Sequence, residues 1–346
     1  MTLPEPLRAE YILPLRWAED SGLDELVPYL EQLCSWIRVT VVDGSAADLY
    51  DCHQARFPVA VRHIRPAPGA GGNGKVTAVL TAVRLSCAER LVIADDDVRY
   101  TYEGLTSVLG GLDHAHVVRP QNFFSPLPWH ACWDTARTLI NRAFADDFPG
   151  TLAVRRDALV ATGGYNAVLF ENLELIRTVT AAGGVEKRMP ALFIARRPPA
   201  SRHFLEQRIR HAYDGFAQPR RLCAELALVP LLAAVLVQPP RLAVPAILGS
   251  AVAAVALAEV GRRRHRGRCV FPARTVLFAP LWVAERAVCS WIALALRLGG
   301  GVPYAGTRLK TAAHSVTELQ VRHGGKIRLA FSPDPSFLAQ PQREYT

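Results

Sequence analysis

The apolar residues of this chain are bunched, and the bunching limits its fold more than any other feature. Residues 222–237, LCAELALVPLLAAVLV, and 242–260, LAVPAILGSAVAAVALAEV, are parted only by Gln238-Pro239-Pro240-Arg241. Each is long enough, or nearly so, to cross a bilayer core of ~30 Å as a helix. The short polar, proline-bearing link makes the pair read as a membrane hairpin. Arginines crowd both flanks, between 202 and 221 and again in Arg262-Arg263-Arg264-His265-Arg266-Gly267-Arg268. Positive charge on the cytoplasmic side of spans is the general rule, so both ends of the hairpin are expected there. A third apolar stretch, 275–298, carries Glu285 and Arg286 near its middle. A central ion pair is costly in a lone span, which favours a helix lying in the interface or packed on the hairpin over a third crossing. The polar, basic tail, 299–346, is then cytoplasmic.

The remainder of the 346 residues must balance this excess, since half of the whole chain is hydrophobic and only 21% is charged. The net charge of +9 falls largely beside the apolar segments. No zinc-finger spacing or RNP-like aromatic motif accompanies it, so no nucleic-acid partner is expected. The start, MTLPEPLRAEYILPLRW, has Pro and Glu where a cleaved signal needs a basic start and an apolar run. Seven cysteines are scattered singly with no C-x-x-C, which predicts buried or membrane-embedded thiols in a reducing compartment.

Residues 1–220 alternate between strand and helix signals. Leu23, Leu26, Leu30, Leu33 and Ile37 recur at helical spacing, and WIRVTVVDGS then gives a β-branched strand ending at Asp43. A Gly/Pro loop (66–75) precedes a helix with Val76, Val79, Leu80 and Val83 on one face. The strand 91–94 follows and runs into Asp95, Asp96 and Asp97. A helix near 102–112, a strand near 115–119 and an aromatic-rich helix from Trp129 complete the pattern. Such alternation predicts an α/β layer with a mostly parallel sheet, whose ligands gather at the carboxyl ends of strands. Asp43 and the aspartate triplet both stand at such ends and are expected to face one crevice.

An apolar strand ending in Asp has two chemical readings. A Walker B element would pair with Gly69-x-x-x-x-Gly74-Lys75, but a P-loop needs Ser or Thr after the Lys, and here stands Val76. The glycines also fail to follow a buried strand directly. The second reading is a nucleotide-sugar site. A sugar diphosphate on Mg²⁺ or Mn²⁺ needs hard oxygen ligands close together, which Asp95-x-Asp97 supplies. The bound metal would neutralise the diphosphate leaving group. One Asp would suffice for a turn or a cap, so three in a row favour the functional reading.

At these residues the chain resembles a known family. From about 10 to 220 it resembles a family 2 inverting glycosyltransferase of the GT-A fold, a Rossmann-like nucleotide-diphospho-sugar transferase domain. Its C-terminal membrane helices resemble the ceramide-glucosyltransferase-like branch. VVDGS (41–45), NGK (73–75), ADDD (94–97) and QRIRH (207–211) stand in the family's order. The resemblance implies Asp43 at the nucleotide base and Lys75 near the nucleotide. It gives Asp95 to the sugar nucleotide and Asp97, with Asp95, to the metal. Asp96 belongs to the same nucleotide-sugar element, although on an extended chain it points the other way and serves the turn. Gln207 and Arg210 are implied at the acceptor and diphosphate, with His211 where the family usually has Trp.

A second departure concerns the base. Where the family commonly has Glu-Asp, with the Asp deprotonating the acceptor, this chain has Glu171-Asn172. An amide cannot take that proton. Glu171 and Glu174 lie on one helical face, so either is a candidate, and a phosphate acceptor would need neither. Trp129, His130, Trp133 and Asp134 fit an acceptor channel or an amphipathic core helix equally. YAGTRLK (304–310) resembles a short basic-aromatic segment that follows the membrane helices in some relatives, and closure of this segment over the diphosphate is one expectation for it.

The expectation is therefore a membrane glycosyltransferase with a cytoplasmic catalytic domain at 1–220 and a membrane region at 221–298. It would move a sugar from a nucleotide sugar, a UDP-sugar by preference, to a lipid or polyprenyl-phosphate acceptor. A processive polysaccharide synthase subunit ranks second, because two or three apolar segments are too few for a polymer channel. A GT-A-fold membrane protein that has lost its base is the non-catalytic alternative, kept open by Asn172.

Overall fold

In the computed structural model, which describes residues 6–20, 22–68, 72–145, 147–304 and 306–327, the segment Leu7–Leu15 forms strand β1. The sequence gives this segment no clear strand signal, because the alternation of Leu7–Tyr11 runs into the apolar triplet Tyr11-Ile12-Leu13 and then Pro14. Both faces of β1 are covered, so every residue from Ala9 to Leu13 is buried and no polar face is required. Glu10 is tolerated because its carboxylate accepts hydrogen bonds from Thr40 (2.6 Å) and Ser86 (2.5 Å).

The later strands are β2 (Ile37–Asp43), β3 (Arg62–Ile64), β4 (Arg90–Ala94), β5 (Val98–Arg99), β6 (Val117–Phe124), β7 (Thr151–Arg155) and β8 (Glu186–Arg196). They make an eight-stranded sheet in the order β3-β2-β1-β4-β7-β6-β8-β5. β3, β2, β1 and β4 run parallel, but β7 is antiparallel to both β4 and β6. The sheet is thus mixed rather than mostly parallel. Alternation of strand and helix specifies layers, not the direction in which a late strand inserts. Ile37, which continues the helical spacing of Leu23–Leu33, instead opens β2, since the helix Leu23–Cys34 ends before it.

Two compact units divide the chain. The first takes in the residues up to Pro120, Pro149–Ile194 and the segment from His314 to 327; the second takes in Gln121–Phe148 and Ala195–Ala313. Segments 121–148 and 195–220 group with the apolar helices in the second unit.

In the first unit the core lies on the sheet. Tyr11, Leu13, Val39, Val41 and Val92 are fully buried against Leu26, Leu30 and Leu33 of the helix Leu23–Cys34. Each such side chain contributes roughly 1.5–3 kcal/mol of transfer free energy.

The second unit is helical: Trp129–Phe144, Ser201–Glu206, Arg208–Tyr213, Pro219–Leu236, Pro240–Arg263 and Ala279–Leu298. The helices Trp129–Phe144 and Pro240–Arg263 meet at Gly261, where an added Cβ would stand 1.8 Å from the carbonyl oxygen of Leu139. Arg142 is completely buried there and is satisfied by Gln121 Oε1 at 2.9 Å and the Arg264 carbonyl at 2.8 Å. Among the described residues two stretches, Pro240–Cys269 and Ala273–Leu298, are long and apolar enough to cross a membrane by length and composition; the first arm of the expected hairpin, Pro219–Leu236, is not one of them, and the third stretch is. Leu231, Leu236, Leu248 and Val252 project outward from the hairpin helices.

The third apolar stretch starts as a 3-10 turn, Ala273–Phe278, before its helix begins. Its Glu285 and Arg286 point into the unit, and Arg208 Nη1 lies 3.7 Å from Glu285 Oε2. Trp291 donates to the Leu226 carbonyl at 3.1 Å and Ser290 to Glu225 at 3.0 Å. This helix therefore packs on Pro219–Leu236. All seven cysteines are unbridged.

Candidate active site

The parallel register aligns the ends of three strands. Leu15 of β1 stands opposite Asp43, and Ile12 opposite both Thr40 and Ile93. Asp95, two residues beyond Ile93, thus emerges on the same rim as Asp43, as strand-end logic requires. Main-chain bonds shape the turn that follows: Asp95 N–H donates to the Gly150 carbonyl and Val98 N–H to the Asp95 carbonyl. All three aspartates are half-buried in this turn.

Asp95, Lys75 and Glu171 converge. Lys75 Nζ lies 2.5 Å from Asp95 Oδ1 and 2.7 Å from Glu171 Oε1. Lys75 sits in the first turn of the helix Gly74–Leu85, capped by Asn73, whose side chain accepts from Lys75 N–H. The Asn73 amide also donates to the Val168 carbonyl at 3.0 Å and to Glu171 Oε2 at 3.3 Å. This crossing depends on Gly72, whose φ of +89° and closeness to Ala167 leave no room for a side chain. Burial alone would lower the Lys75 pKa, but Asp95 and Glu171 raise it well above the usual lysine value, so the ammonium stays charged. Tyr165 beside them has its phenol pushed up, chiefly by burial. Residues 69–71, which contain the first glycine of the P-loop-like spacing, lie outside the described residues.

The two candidate bases are placed differently. Glu171 opens the helix Glu171–Ala181 and faces Lys75. Glu174, one turn on, is fully buried. Its Oε1 lies 2.7 Å from Asn166 Nδ2 and 2.7 Å from His314 Nδ1, and its Oε2 accepts the His314 N–H at 2.8 Å. Asn172 between them donates its amide to the Pro149 carbonyl at 3.0 Å. A carboxylate at that place would set lone pairs against a carbonyl oxygen, so the local backbone suits Asn and opposes Asp.

Asp43 is completely buried. Its Oδ2 lies 2.6 Å from His53 Nδ1 and 3.1 Å from His63 Nε2, while Oδ1 accepts Ser45 N–H at 2.8 Å. Burial would raise its pKa, but hydrogen bonds from His63, His53 and Ser45 hold it well below the carboxylate range. His63 stacks on Tyr50, and the Arg65 guanidinium lies over the same ring at 3.8 Å from its centroid. Asp96 accepts from the Trp17 indole N–H, which ties the turn to the segment after β1. None of His53, His63, Trp17 or Arg65 was singled out from sequence. No motif marks them, and only the fold brings them to Asp43 and Asp96.

Gln207, Arg210 and His211 belong to the second unit. Gln207 Nε2 lies 2.5 Å from His203 Nε2, and Arg210 lies over the Tyr304 ring at 5.7 Å. His211 Nδ1 is 3.0 Å from Arg208, whose guanidinium reaches Asp134 at 3.0 Å. Burial and Arg208 push the His211 pKa well down, so the ring is neutral at pH 7. Arg208, the residue of this motif passed over in the sequence, is thus its buried anchor. His130 Nε2 lies 2.8 Å from the Pro199 carbonyl and packs against Phe204, so the Trp129–Phe144 helix serves the core of its unit. In YAGTRLK, Ala305 lies outside the described residues.

Among the described residues no group of three or more His, Cys, Asp or Glu is arranged to hold a metal ion by itself. No family model matches the chain, and no curated protein does. Solved structures do show similarity. A mannosyltransferase from Pyrobaculum calidifontis, in complex with GDP-Man and Mn²⁺, aligns over 82% of this chain and 87% of its own with 20% identity and a TM-score of 0.46. Glucosyl-3-phosphoglycerate synthase from Mycobacterium tuberculosis, with Mn²⁺, UDP and glucosyl-3-phosphoglycerate, aligns over 59% and 77% at 16% identity and TM-score 0.41. Mannosyl-3-phosphoglycerate synthase from Rubrobacter xylanophilus aligns over 58% and 70% at 14% identity and TM-score 0.40.

Proposed function

We propose that this chain is a metal-dependent, inverting glycosyltransferase of the GT-A type that takes its sugar from a nucleotide sugar. The observation that carries the reading is the convergence of Asp95, Lys75 and Glu171 on the strand-end rim shared with Asp43. An acid pair spaced Asp95-x-Asp97, an ammonium and a further carboxylate are what a sugar diphosphate and an attacking hydroxyl require together.

The donor set fits a hard divalent ion. Mg²⁺ and Mn²⁺ are commonly held by one or two carboxylates, with substrate phosphates and waters filling the other positions. Two aspartates, with no third ligand grouped with them among the described residues, match that pattern. Asp95 and Asp97 would hold the ion, which when bound supplies Lewis-acid stabilisation of the departing diphosphate. Lys75 provides a fixed positive charge near the phosphates. Asp96, through Trp17, and Asp95, through Gly150, fix the turn that presents the pair. Asp43, locked by His53 and His63, supports the nucleotide-base end of the rim.

Glu171 is the general base of this proposal. Its carboxylate stands beside Lys75 and Asp95 at the site, whereas Glu174 is fully buried and faces Asn166 and His314 instead. Glu171 would accept the acceptor hydroxyl proton as that oxygen attacks the anomeric carbon from the side opposite the diphosphate, inverting it. For Gln207, Arg210 and His211 the acceptor-side role rests on the motif alone. The apolar outward residues of Pro219–Leu236 and Pro240–Arg263, with arginines at both flanks, favour attachment to a bilayer and hence a lipid or lipid-phosphate acceptor.

The test is release of nucleoside diphosphate from a panel of UDP- and GDP-sugars by membranes bearing the full chain, with Mn²⁺. Release should be lost in Asp97→Ala, and equal release by both proteins would sink the donor-site reading. Flotation of the protein with liposomes, resistant to carbonate, is the expected sign of membrane insertion.

A further inference from the structure

Lys75 lies between two carboxylates that the proposed reaction uses separately. Its ammonium is 2.5 Å from Asp95 Oδ1 and 2.7 Å from Glu171 Oε1, and the three side chains are only 15–21% exposed. Asn73, the cap of the same helix, holds the second oxygen of Glu171. The contact is therefore built into the start of the helix Gly74–Leu85, not made by a loose surface lysine.

We propose that Lys75 is a built-in counter-ion of the donor site, which occupies Asp95 until a nucleoside diphosphate arrives to take the ammonium over. The proposal rests on the donor-site reading above. An ammonium and a divalent cation on one carboxylate repel each other, and at this depth the repulsion is poorly screened. For Asp95 to turn toward a metal ion, Lys75 must give up one of its two partners. The anionic oxygens of a diphosphate replace that partner. Metal and diphosphate then bind as a pair, each removing the obstacle to the other, while metal alone binds weakly. Glu171 stays pinned by Lys75 and Asn73 in the empty site.

The experiment measures Mn²⁺ binding to the full chain by the electron paramagnetic resonance signal of free Mn²⁺, with no sugar donor present. Without nucleotide, Lys75→Met is expected to bind Mn²⁺ roughly five- to tenfold more tightly than wild type, the scale of one ion pair removed from a partly exposed site. With saturating UDP the order reverses, because only the wild type can pass its ammonium to the diphosphate. Lys75→Gln, which keeps hydrogen-bonding capacity without the charge, should behave like Lys75→Met and serves if the latter does not fold. Variants that bind no more tightly than wild type without nucleotide overturn the counter-ion role, and so does an order unchanged by UDP. Asp97→Ala separates the two layers. If it loses Mn²⁺ while Lys75→Met matches wild type, only the counter-ion role fails. If it binds like wild type, the metal-site reading fails and takes the counter-ion with it.

Discussion

His314 closes on Glu174 with both its main-chain N–H and its ring, at 2.8 and 2.7 Å, across 140 residues of chain. Arg177 of the same helix donates to the His314 carbonyl at 2.8 Å, and Ile327 N–H reaches the Ala182 carbonyl at 3.0 Å. The segment from His314 is thus fastened along the helix Glu171–Ala181. His314→Ala should leave the buried Glu174 short of a partner and cost about 1–3 kcal/mol. Amide exchange in 314–327 and in that helix should rise together; unchanged exchange would show that the fastening lies elsewhere.

The two glutamates should separate cleanly in kinetics. Glu171→Gln is expected to lower turnover by about 10²–10⁴-fold, the usual range for a lost general base, with folding kept. Glu174→Gln should mainly lower the melting temperature. If Glu174→Gln is the dead enzyme and Glu171→Gln the active one, the base assignment is wrong.

Asn172→Asp tests whether the backbone at this position accepts a carboxylate. The new carboxylate would face the Pro149 carbonyl that now accepts the Asn172 amide. Destabilisation of about 1–3 kcal/mol is expected, with no gain in rate. A faster and equally stable variant would mean that the backbone here can accommodate an aspartate.

Asp43 gives the acid limb of stability. Its folded pKa is depressed by His63, His53 and Ser45 against the effect of burial, so its contribution is present above the ordinary carboxylate value and lost as pH falls toward the folded one. Asp43→Asn should therefore be about 2 kcal/mol less stable at pH 7, with the gap narrowing below about pH 4. Denaturant titrations at a series of pH values read this directly, and a gap independent of pH would refute the linkage.

Gly261 fixes a helix crossing. A Cβ there meets the Leu139 carbonyl oxygen at 1.8 Å, and backbone cannot yield as a side-chain tip can. Gly261→Ala should cost about 1–3 kcal/mol or more, read as a lower unfolding midpoint. An unchanged midpoint would mean that the two helices are free to separate.

Local pattern carried much of this protein. Covalent order and residue type alone give the strand that ends at Asp43, the strand that ends in three aspartates, and the hairpin of apolar helices around Pro239-Pro240. These signals are local, because periodicity, proline and charge act within a few residues. Strand β1 escaped because its alternation runs into the apolar triplet Tyr11-Ile12-Leu13 and then Pro14. The direction of β7 escaped because direction is a property of the whole sheet.

The surroundings of neighbouring carboxylates were decided by tertiary structure alone. In the sequence, Glu171 and Glu174 are two acids on one helical face and cannot be told apart. In the fold, Glu174 is enclosed by Asn166 and by His314 from far along the chain, while Glu171 meets Lys75 and, through it, Asp95. What a carboxylate can do depends on which donors and charges surround it, and those come from segments as distant as 96 and 140 residues. No local pattern encodes them, so the sequence shows which carboxylates are present but not what surrounds each one.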